Sequence, residues 1–262
     1  MNENGKKYLD NLGRYKTERR ADELEKTSAS NTAFWMFIAA IAKQSFLEIF
    51  YFSHRPILKI IFFLLYRLKT AGVKDIPKRG PLIIVMNHQS YLDPPILAAM
   101  CPRQVHYMVH EEVYNVPVLH TWIKLMGSFP VAQGVRSISA FREALKLLKK
   151  GEVVGIFPEG GILLTQYKDV DEAEVIGSAY AGMIRLAIRG KAPILPVGIS
   201  GSGRALPKES IPMLKKIPRF TKIKIHYGKP ISLKEYYRKK LDNNTLNDLT
   251  EKITLNIKRL IN

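Results

Sequence analysis

The feature of this sequence that most constrains its fold is a series of short, unbroken apolar runs separated by helical patterns. The runs cover residues 81–86, 153–157 and 193–199, and residues 105–109, which His106 interrupts, predict a further strand. Runs of this length without polar alternation are typical of strands that are buried on both faces of a parallel sheet. Because strands alternate with helices along the chain, we predict an α/β fold with a mostly parallel central sheet flanked by helices.

Turn and cap signals place further elements around these strands. Residues 222–227 alternate between polar and apolar side chains and predict a half-exposed edge strand. Asp93, followed by two prolines, predicts the N-cap of one helix. Ser139 predicts the N-cap of a second helix over residues 140–150, and Gly151 is expected to end that helix.

The composition changes sharply before the sheet begins. Residues 1–30 are polar and mixed in charge, and they predict a loosely helical arm without a cleavable signal peptide. Residues 32–68 are rich in Phe, Ile and Leu but carry scattered charges, so no apolar run approaches the ~20 residues that span a bilayer. Arg55-Pro56 predicts a break between two amphipathic helices.

A membrane interface is the environment that these two helices favour, because aromatic side chains such as Trp35 occur together with Lys and Arg. A helical pair packed on the core and a single tilted spanning helix are the alternatives. The predicted organisation is therefore a polar arm over 1–30, a membrane-associating two-helix motif over 31–70 and an α/β domain over 71–262.

The charge of the chain restricts its partners. Forty-one Lys and Arg against 23 Asp and Glu give a net charge of +18, which should attract nucleic acid, anionic lipid, phosphorylated substrates or acidic carrier proteins. No zinc-finger, helix-turn-helix or RNP signature favours nucleic acid. Cys101 is the one cysteine, so no disulfide can form within the chain, and a reducing compartment is expected.

Polar side chains follow the first predicted strand in the segment NHQSYLD at 87–93. A carboxylate at Asp93 could hold one ring nitrogen of His88 and leave the other nitrogen to accept a proton from a substrate hydroxyl. Spacing alone supports equally a plain helix cap at Asp93 and a polar strand end at His88.

A second polar cluster, FPEGG at 157–161, follows the third predicted strand. A carboxylate in a glycine-rich bend could bind a polyol hydroxyl, and it could also be a solvated turn residue. The carboxyl ends of parallel strands meet at one edge of a sheet, so the two clusters are expected to lie together.

These segments resemble the glycerolipid acyltransferases, in particular the bacterial 1-acyl-sn-glycerol-3-phosphate acyltransferases. NHQSYLD fits the family's N-H-x-x-x-x-D signature, and FPEG at 157–160 matches its third block. Residues 127–131 (GSFPV) and 195–199 (LPVGI) resemble its second and fourth blocks. The likeness covers roughly residues 72–230, with all four blocks in the family's order.

The resemblance implies the chemistry and the site. His88 would be the general base and Asp93 would support the imidazolium, with no acyl-enzyme, no cofactor and no metal, so Cys101 would not be a nucleophile. The implied substrate-binding residues are Asn87, Arg136, Glu159, Gly160, Gly161 and Arg204. Two arginines of the family pattern are missing, with Gln133 and Ile162 in their places. The candidates to replace them are Arg136, Lys168, Arg185, Arg204 and Lys208; the alternative is an acceptor headgroup other than a simple phosphate monoester.

The implied reaction moves a fatty acyl group from acyl-CoA or acyl-carrier protein to the sn-2 hydroxyl of 1-acyl-glycerol 3-phosphate, and makes phosphatidic acid for phospholipid synthesis. The same chemistry on another lysolipid or amino-lipid acceptor is an alternative, as is a non-catalytic basic lipid-binding protein. The expected partners are an anionic lipid surface, the acyl donor and a lysophospholipid acceptor, with no nucleic acid. The expected location is the cytoplasmic face of the cell membrane, as a peripheral or monotopic protein.

Overall fold

A computed structural model describes residues 35–36, 38–39, 42, 45, 48–110, 114, 117–131, 137–158, 172–206, 219–239 and 241–262. The chain forms two compact units, Met1–Ile49 and Phe50–Asn262. In the first unit the described residues are helical, and their side chains, Trp35 and Met36 among them, are exposed. The second unit contains the sheet. This division differs from the predicted boundary at residue 70, because the second apolar helix packs against the sheet domain.

The described part of the second unit contains a seven-stranded sheet. In chain order its strands are β1 (Lys69–Ala71), β2 (Leu82–Met86), β3 (Val105–His110), β4 (Phe129–Val131), β5 (Val153–Ile156), β6 (Ile194–Ser200) and β7 (Lys224–Tyr227). The spatial order is β1-β7-β6-β2-β5-β3-β4. Five neighbouring pairs are parallel, and β6–β7 is antiparallel. The predicted α/β fold with a mostly parallel sheet is confirmed.

Strand β7 corrects one prediction, because it is not an edge strand. It lies between β6 and β1 and pairs with both. Its polar and apolar side chains still alternate, because Ile225 and Tyr227 are buried while Lys224 and His226 are exposed. The alternation therefore arises because one side of the sheet faces solvent at β7, and not because β7 is an open edge.

The helices of the second unit lie on both sides of the sheet. They are α1 (Arg55–Tyr66), α2 (Asp93–Met100), α3 (Pro117–Leu125), α4 (Ser137–Lys149), α5 (Glu172–Arg189), α6 (Ser202–Ala205) and α7 (Asn243–Ile261). A bend at His54 precedes α1, which confirms the predicted break near Arg55-Pro56. Gly151, with φ of 83°, ends α4 as predicted.

Two predicted caps are wrong. Helix α4 begins at Ser137, so Ser139 is its third residue rather than its cap. Asp93 is the first residue of α2, and the residue in the cap position is Leu92, which makes no side-chain cap hydrogen bond. The carboxylate of Asp93 instead turns back onto the preceding loop, as described below.

Alternate residues of β2 face two separate cores. Leu82, Ile84 and Met86 belong to a core that also contains Phe62 and Tyr66 of α1. Ile83 and Val85 face the other side, where apolar side chains of α4, α5 and α7 cover the sheet. All five strand residues are buried, which explains why their sequence shows no polar alternation.

Helix α1 is apolar on nearly all sides but buries only one stripe. Arg55, Phe62 and Tyr66 are buried against the domain. Its outward-facing apolar residues are exposed by 39–69%: Ile57, Ile60, Ile61, Phe63, Leu64 and Leu65. Within the described residues one helical stretch, Glu48–Tyr66, is long and apolar enough to cross a membrane by length and composition, with a mean hydropathy of 1.3.

Candidate active site

The candidate site begins where β2 ends, at the carboxyl edge of the parallel strands. The Asn87 side chain donates from Nδ2 to the Ile199 carbonyl at 2.9 Å, and its Oδ1 accepts from the Ile199 amide at 2.8 Å. Both polar ends of this buried amide are therefore used by the backbone of β6. These contacts fix the strand ends beside His88, and the predicted binding of substrate by Asn87 stays a prediction.

His88 and Asp93 form a buried pair. The Nδ1 atom of His88 lies 2.9 Å from Oδ2 of Asp93, and the side chains are exposed by 9% and 0%. The same carboxylate oxygen accepts from the backbone amides of Gln89 at 2.7 Å and Ser90 at 2.8 Å. An ionised carboxylate only accepts hydrogen bonds, so Nδ1 carries the proton in neutral His88, and Nε2 has the lone pair that can accept another.

The loop that carries His88 is tied down on its far side. Ser90 is fully buried, and its hydroxyl donates to the Leu206 carbonyl at 2.6 Å and accepts from the Leu92 amide at 3.1 Å. A Cβ atom added at Gly203 would lie 3.2 Å from Cβ of Gln89, so α6 packs closely on this loop. These contacts restrict the positions that the imidazole can adopt.

Two aromatic rings form a wall beside the imidazole. The ring of Phe157, directly after β5, lies 4.4 Å from the His88 ring between centroids. Tyr107 of β3 stacks on Phe157 at 6.0 Å, and its hydroxyl donates to the Pro94 carbonyl at 3.0 Å. Sequence reasoning placed Phe157 in the third block but missed its contact with His88 and missed Tyr107 entirely. The position of Phe157 directly after β5 was the available signal, whereas Tyr107 lies inside β3 and no signal marked it.

The far end of α2 is held by side chains from the start of the second unit. The buried Arg55 guanidinium donates to the carbonyls of Ala99 and Cys101. The Tyr51 hydroxyl lies 3.4 Å from the Ala98 carbonyl and accepts from the Val105 amide at 3.2 Å. A cation beside carbonyls that have no partner within the helix stabilises the carboxyl end of a helix.

Burial decides the protonation of other groups near α2. It raises the pKa of the Tyr107 and Tyr91 phenols, so both stay protonated at neutral pH. Burial also raises the pKa of the Cys101 thiol to about 11. Only about one thiol in a thousand would then be ionised at pH 8, so Cys101 is a poor nucleophile.

Of the remaining predicted site residues, the structure describes one. Arg204 is described: it is an exposed residue of α6, next to Gly203, which packs on the catalytic loop. Arg136, Glu159, Gly160 and Gly161 lie outside the described residues. Within the described segments no group of three or more His, Cys, Asp or Glu side chains could hold a metal ion.

Comparison with known proteins identifies the family. The family model described as acyltransferase matches residues 67–200, which include the ends of β2, β5 and β6 at the candidate site. The chain belongs to the acyltransferase family. The resemblance seen in the four sequence blocks is thereby confirmed, and the pair His88 and Asp93 lies inside the matched region.

Curated relatives and a solved structure agree with this family. The 1-acyl-sn-glycerol-3-phosphate acyltransferase of Bacillus subtilis is 29% identical over 177 residues, which are 66% of this chain and 78% of that protein. The enzyme of the same name from Streptococcus pneumoniae is 25% identical over 181 residues, 68% of this chain and 60% of that protein.

The crystal structure of the 1-acyl-sn-glycerophosphate acyltransferase PlsC from Thermotoga maritima matches with a TM-score of 0.58. The match covers 84% of this acyltransferase chain and 80% of that structure. At 23% identity the likeness shows a shared fold.

Proposed function

We propose that this acyltransferase moves a fatty acyl group from a thioester donor, acyl-CoA or acyl-carrier protein, to the sn-2 hydroxyl of 1-acyl-glycerol 3-phosphate. The product is phosphatidic acid. The observation that carries the proposal is the buried contact between His88 and Asp93 at the carboxyl end of β2, 2.9 Å long, inside the family match. The names of the bacterial relatives supply the acceptor.

The proposed chemistry is a direct transfer. Nε2 of His88 removes the proton of the acceptor hydroxyl as its oxygen attacks the thioester carbonyl, and Asp93 stabilises the imidazolium that forms. The tetrahedral intermediate collapses with cleavage of the C–S bond. The leaving thiolate takes the proton back from the imidazolium, so one ester and one thiol are formed and the base returns to its neutral state.

Cations near the catalytic loop would bind the acceptor phosphate. Arg204 is exposed on α6, beside the loop, and no described carboxylate lies within ion-pair distance of it. Arg136, Glu159, Gly160 and Gly161 stay candidates for the same headgroup from outside the described residues. Gln133 and Ile162 stand where the family pattern has two arginines. We propose that Arg204 and Arg136 take over the role of those arginines.

The proposed location is the cytoplasmic face of an anionic membrane. Helix α1 presents six large apolar side chains to solvent while its opposite side packs on the domain. An exposed apolar face on a basic protein is typical of a helix that lies in the membrane interface. The buried Arg55 and its bonds to the end of α2 support surface contact over a spanning helix.

The test is a thiol-release assay on purified protein with palmitoyl-CoA and 1-acyl-glycerol 3-phosphate, repeated with His88→Ala. We expect release that needs both substrates and that falls by about 10²–10⁴-fold in the variant, because general-base catalysis is lost. The absence of the two family arginines leaves open a different acceptor. Parallel reactions with other lysolipids and with amino lipids test this alternative. Equal turnover by His88→Ala and wild type would rule out the proposed mechanism.

A further inference from the structure

Phe220 is the most exposed large apolar side chain that the structure describes, and it lies outside α1. Its exposed fraction is 74%, against 39–69% for the outward-facing apolar residues of α1. It precedes β7 in a segment without regular secondary structure. Single exposed apolar residues are common on protein surfaces, so the surroundings of Phe220 decide what its exposure means.

Hydrogen bonds hold the segment of Phe220 against α6 and the residue before it. The Arg219 amide donates to the Ala205 carbonyl at 2.8 Å, and the Thr221 hydroxyl donates to the Gly201 carbonyl at 3.1 Å. Phe220 lies between these two bonded residues, so its backbone is fixed while its ring is in solvent. The fixed backbone therefore presents the ring at a defined place on the surface.

The same segment lies beside the catalytic loop. The carbonyl of Leu206, the residue after Ala205, accepts from the Ser90 hydroxyl at 2.6 Å, and Ser90 lies two residues after His88. Two consecutive carbonyls at the end of α6 therefore bind Arg219 and the loop of His88. The segment also leads into β7, whose first residue pairs with the last residue of β6 at the carboxyl edge of the parallel strands.

The end of α1 contacts this segment as well. The Ile223 amide donates to the Tyr66 carbonyl at 3.0 Å, and the three residues from Phe220 to Ile223 span at most about 11 Å. Phe63 and Leu64, in the last turn of α1, are exposed by 65% and 69%. The exposed apolar side chains at the end of α1 and the ring of Phe220 therefore occur at the same edge of the sheet.

Exposed arginines accompany the ring. Arg219 directly precedes Phe220, and Arg67 directly follows Tyr66 at the end of α1. No described carboxylate lies within ion-pair distance of either arginine. We call Arg67, Arg219 and Phe220 the edge patch. An apolar ring beside cations matches an anionic leaflet, which offers phosphates at its surface and acyl chains beneath them.

We infer that the edge patch is a second membrane contact, separate from the apolar face of α1. Phe220 inserts between lipid acyl chains, while Arg67 and Arg219 bind the phosphates of anionic lipids. The inference rests on the proposed acyl transfer at a membrane. A contact at this edge holds the catalytic loop at the leaflet, so an acceptor lipid reaches His88 without leaving the membrane surface.

Vesicle binding tests the contact without turnover. Wild-type protein, Phe220→Gln and the control Leu255→Gln are sedimented with vesicles of equimolar phosphatidylglycerol and phosphatidylcholine. Leu255 is exposed on α7, which covers the opposite side of the sheet. We expect Phe220→Gln to lower the partition coefficient by about tenfold, because the burial of a phenylalanine ring is lost, and Leu255→Gln to stay within about twofold. An unchanged partition coefficient for Phe220→Gln would overturn the inference.

The charged part of the patch has its own control. Arg219→Gln is compared with Lys149→Gln, at an exposed residue at the end of α4. Arg219→Gln should lower binding to the anionic vesicles by about fivefold at low salt, whereas Lys149→Gln should stay within about twofold. Equal losses for the two variants would mean that net charge alone attracts the protein, and would overturn the role of Arg219.

A fluorescent label shows whether position 220 enters the lipid. Cys101 is buried, so a polarity-sensitive thiol label can be attached selectively to Phe220→Cys and to the control Leu255→Cys. On addition of the anionic vesicles, emission from position 220 should shift to shorter wavelength and be quenched by brominated acyl chains, while emission from position 255 should not change. Equal responses at the two positions, or no response at position 220, would refute insertion.

Kinetics separate this contact from the proposed function. Values of kcat/KM are measured for an acceptor embedded in the vesicles and for a short-chain acceptor dissolved as a monomer. Phe220→Gln should lower the first value by about tenfold and leave the second within about twofold, with an unchanged Tm. Equal losses for both acceptors would place Phe220 in the substrate site and overturn the membrane contact. Vesicle binding and labelling decide the contact even if neither acceptor yields product.

Discussion

Asp93→Asn tests the catalytic pair most directly. In the wild type, Oδ2 of Asp93 accepts from His88, Gln89 and Ser90, while Oδ1 is buried without a partner among the described residues. An asparagine oxygen at the Oδ2 position could keep all three bonds, with its NH₂ group at the unpartnered position. The loop would then hold its shape, but the imidazolium formed during transfer would lose its counter-charge.

The expected loss follows from that geometry. Losing the support of the base should lower kcat by about 10²–10⁴-fold, which is about 3–5 kcal/mol of transition-state stabilisation. Thiol release with saturating acceptor measures this loss, and a thermal melt checks that the fold persists. If turnover by Asp93→Asn stays within about threefold of wild type, Asp93 does not support the base.

The matched control is Asp242→Asn. Asp242 is a true N-cap, because its Oδ1 accepts from the Thr245 amide at 2.8 Å at the start of α7. Asparagine caps a helix about as well as aspartate, so neither Tm nor turnover should change. The same chemical substitution is therefore expected to be harmless at a cap and severe at Asp93, where no cap contact exists.

Three further substitutions test the surrounding structure. Arg55→Gln should destabilise the protein by about 1–3 kcal/mol in urea melts, because buried carbonyls at the end of α2 lose their donor, whereas the exposed Lys59→Gln should change little. Gly198→Ala should lower Tm, because the new methyl group would lie 2.7 Å from Leu260. Cys101→Ala should retain turnover. The wild-type thiol is buried and its pKa is raised to about 11, so it should react with a thiol reagent only on unfolding. Rapid labelling of the folded enzyme would contradict this.

The central strands were predictable because a strand that is buried on both faces has a nearly continuous run of apolar residues. Residues 82–86 and 194–199 are buried almost completely, and their runs are almost entirely apolar. Strands β1 and β4 were missed because each has three residues, too few for a periodic pattern. Without β1, the alternation in β7 suggested an edge that the structure does not have.

The site was predictable where contacts are local. The five-residue spacing between His88 and Asp93 was enough to suggest their contact. The same spacing could not exclude a cap, because two prolines after Asp93 are also typical of a first helical turn. The hydrogen bonds from Tyr51 and Arg55 to the end of α2 join residues more than 40 positions apart in the sequence, so no local sequence pattern predicts them.

Helix α2 connects the catalytic pair with the segment that carries Tyr51 and Arg55. Its first residue, Asp93, orients the base, and its last carbonyls are held by Tyr51 and Arg55. Eight helical residues are only about 12 Å long, so the apolar helix α1 and the catalytic pair contact the two ends of one short element.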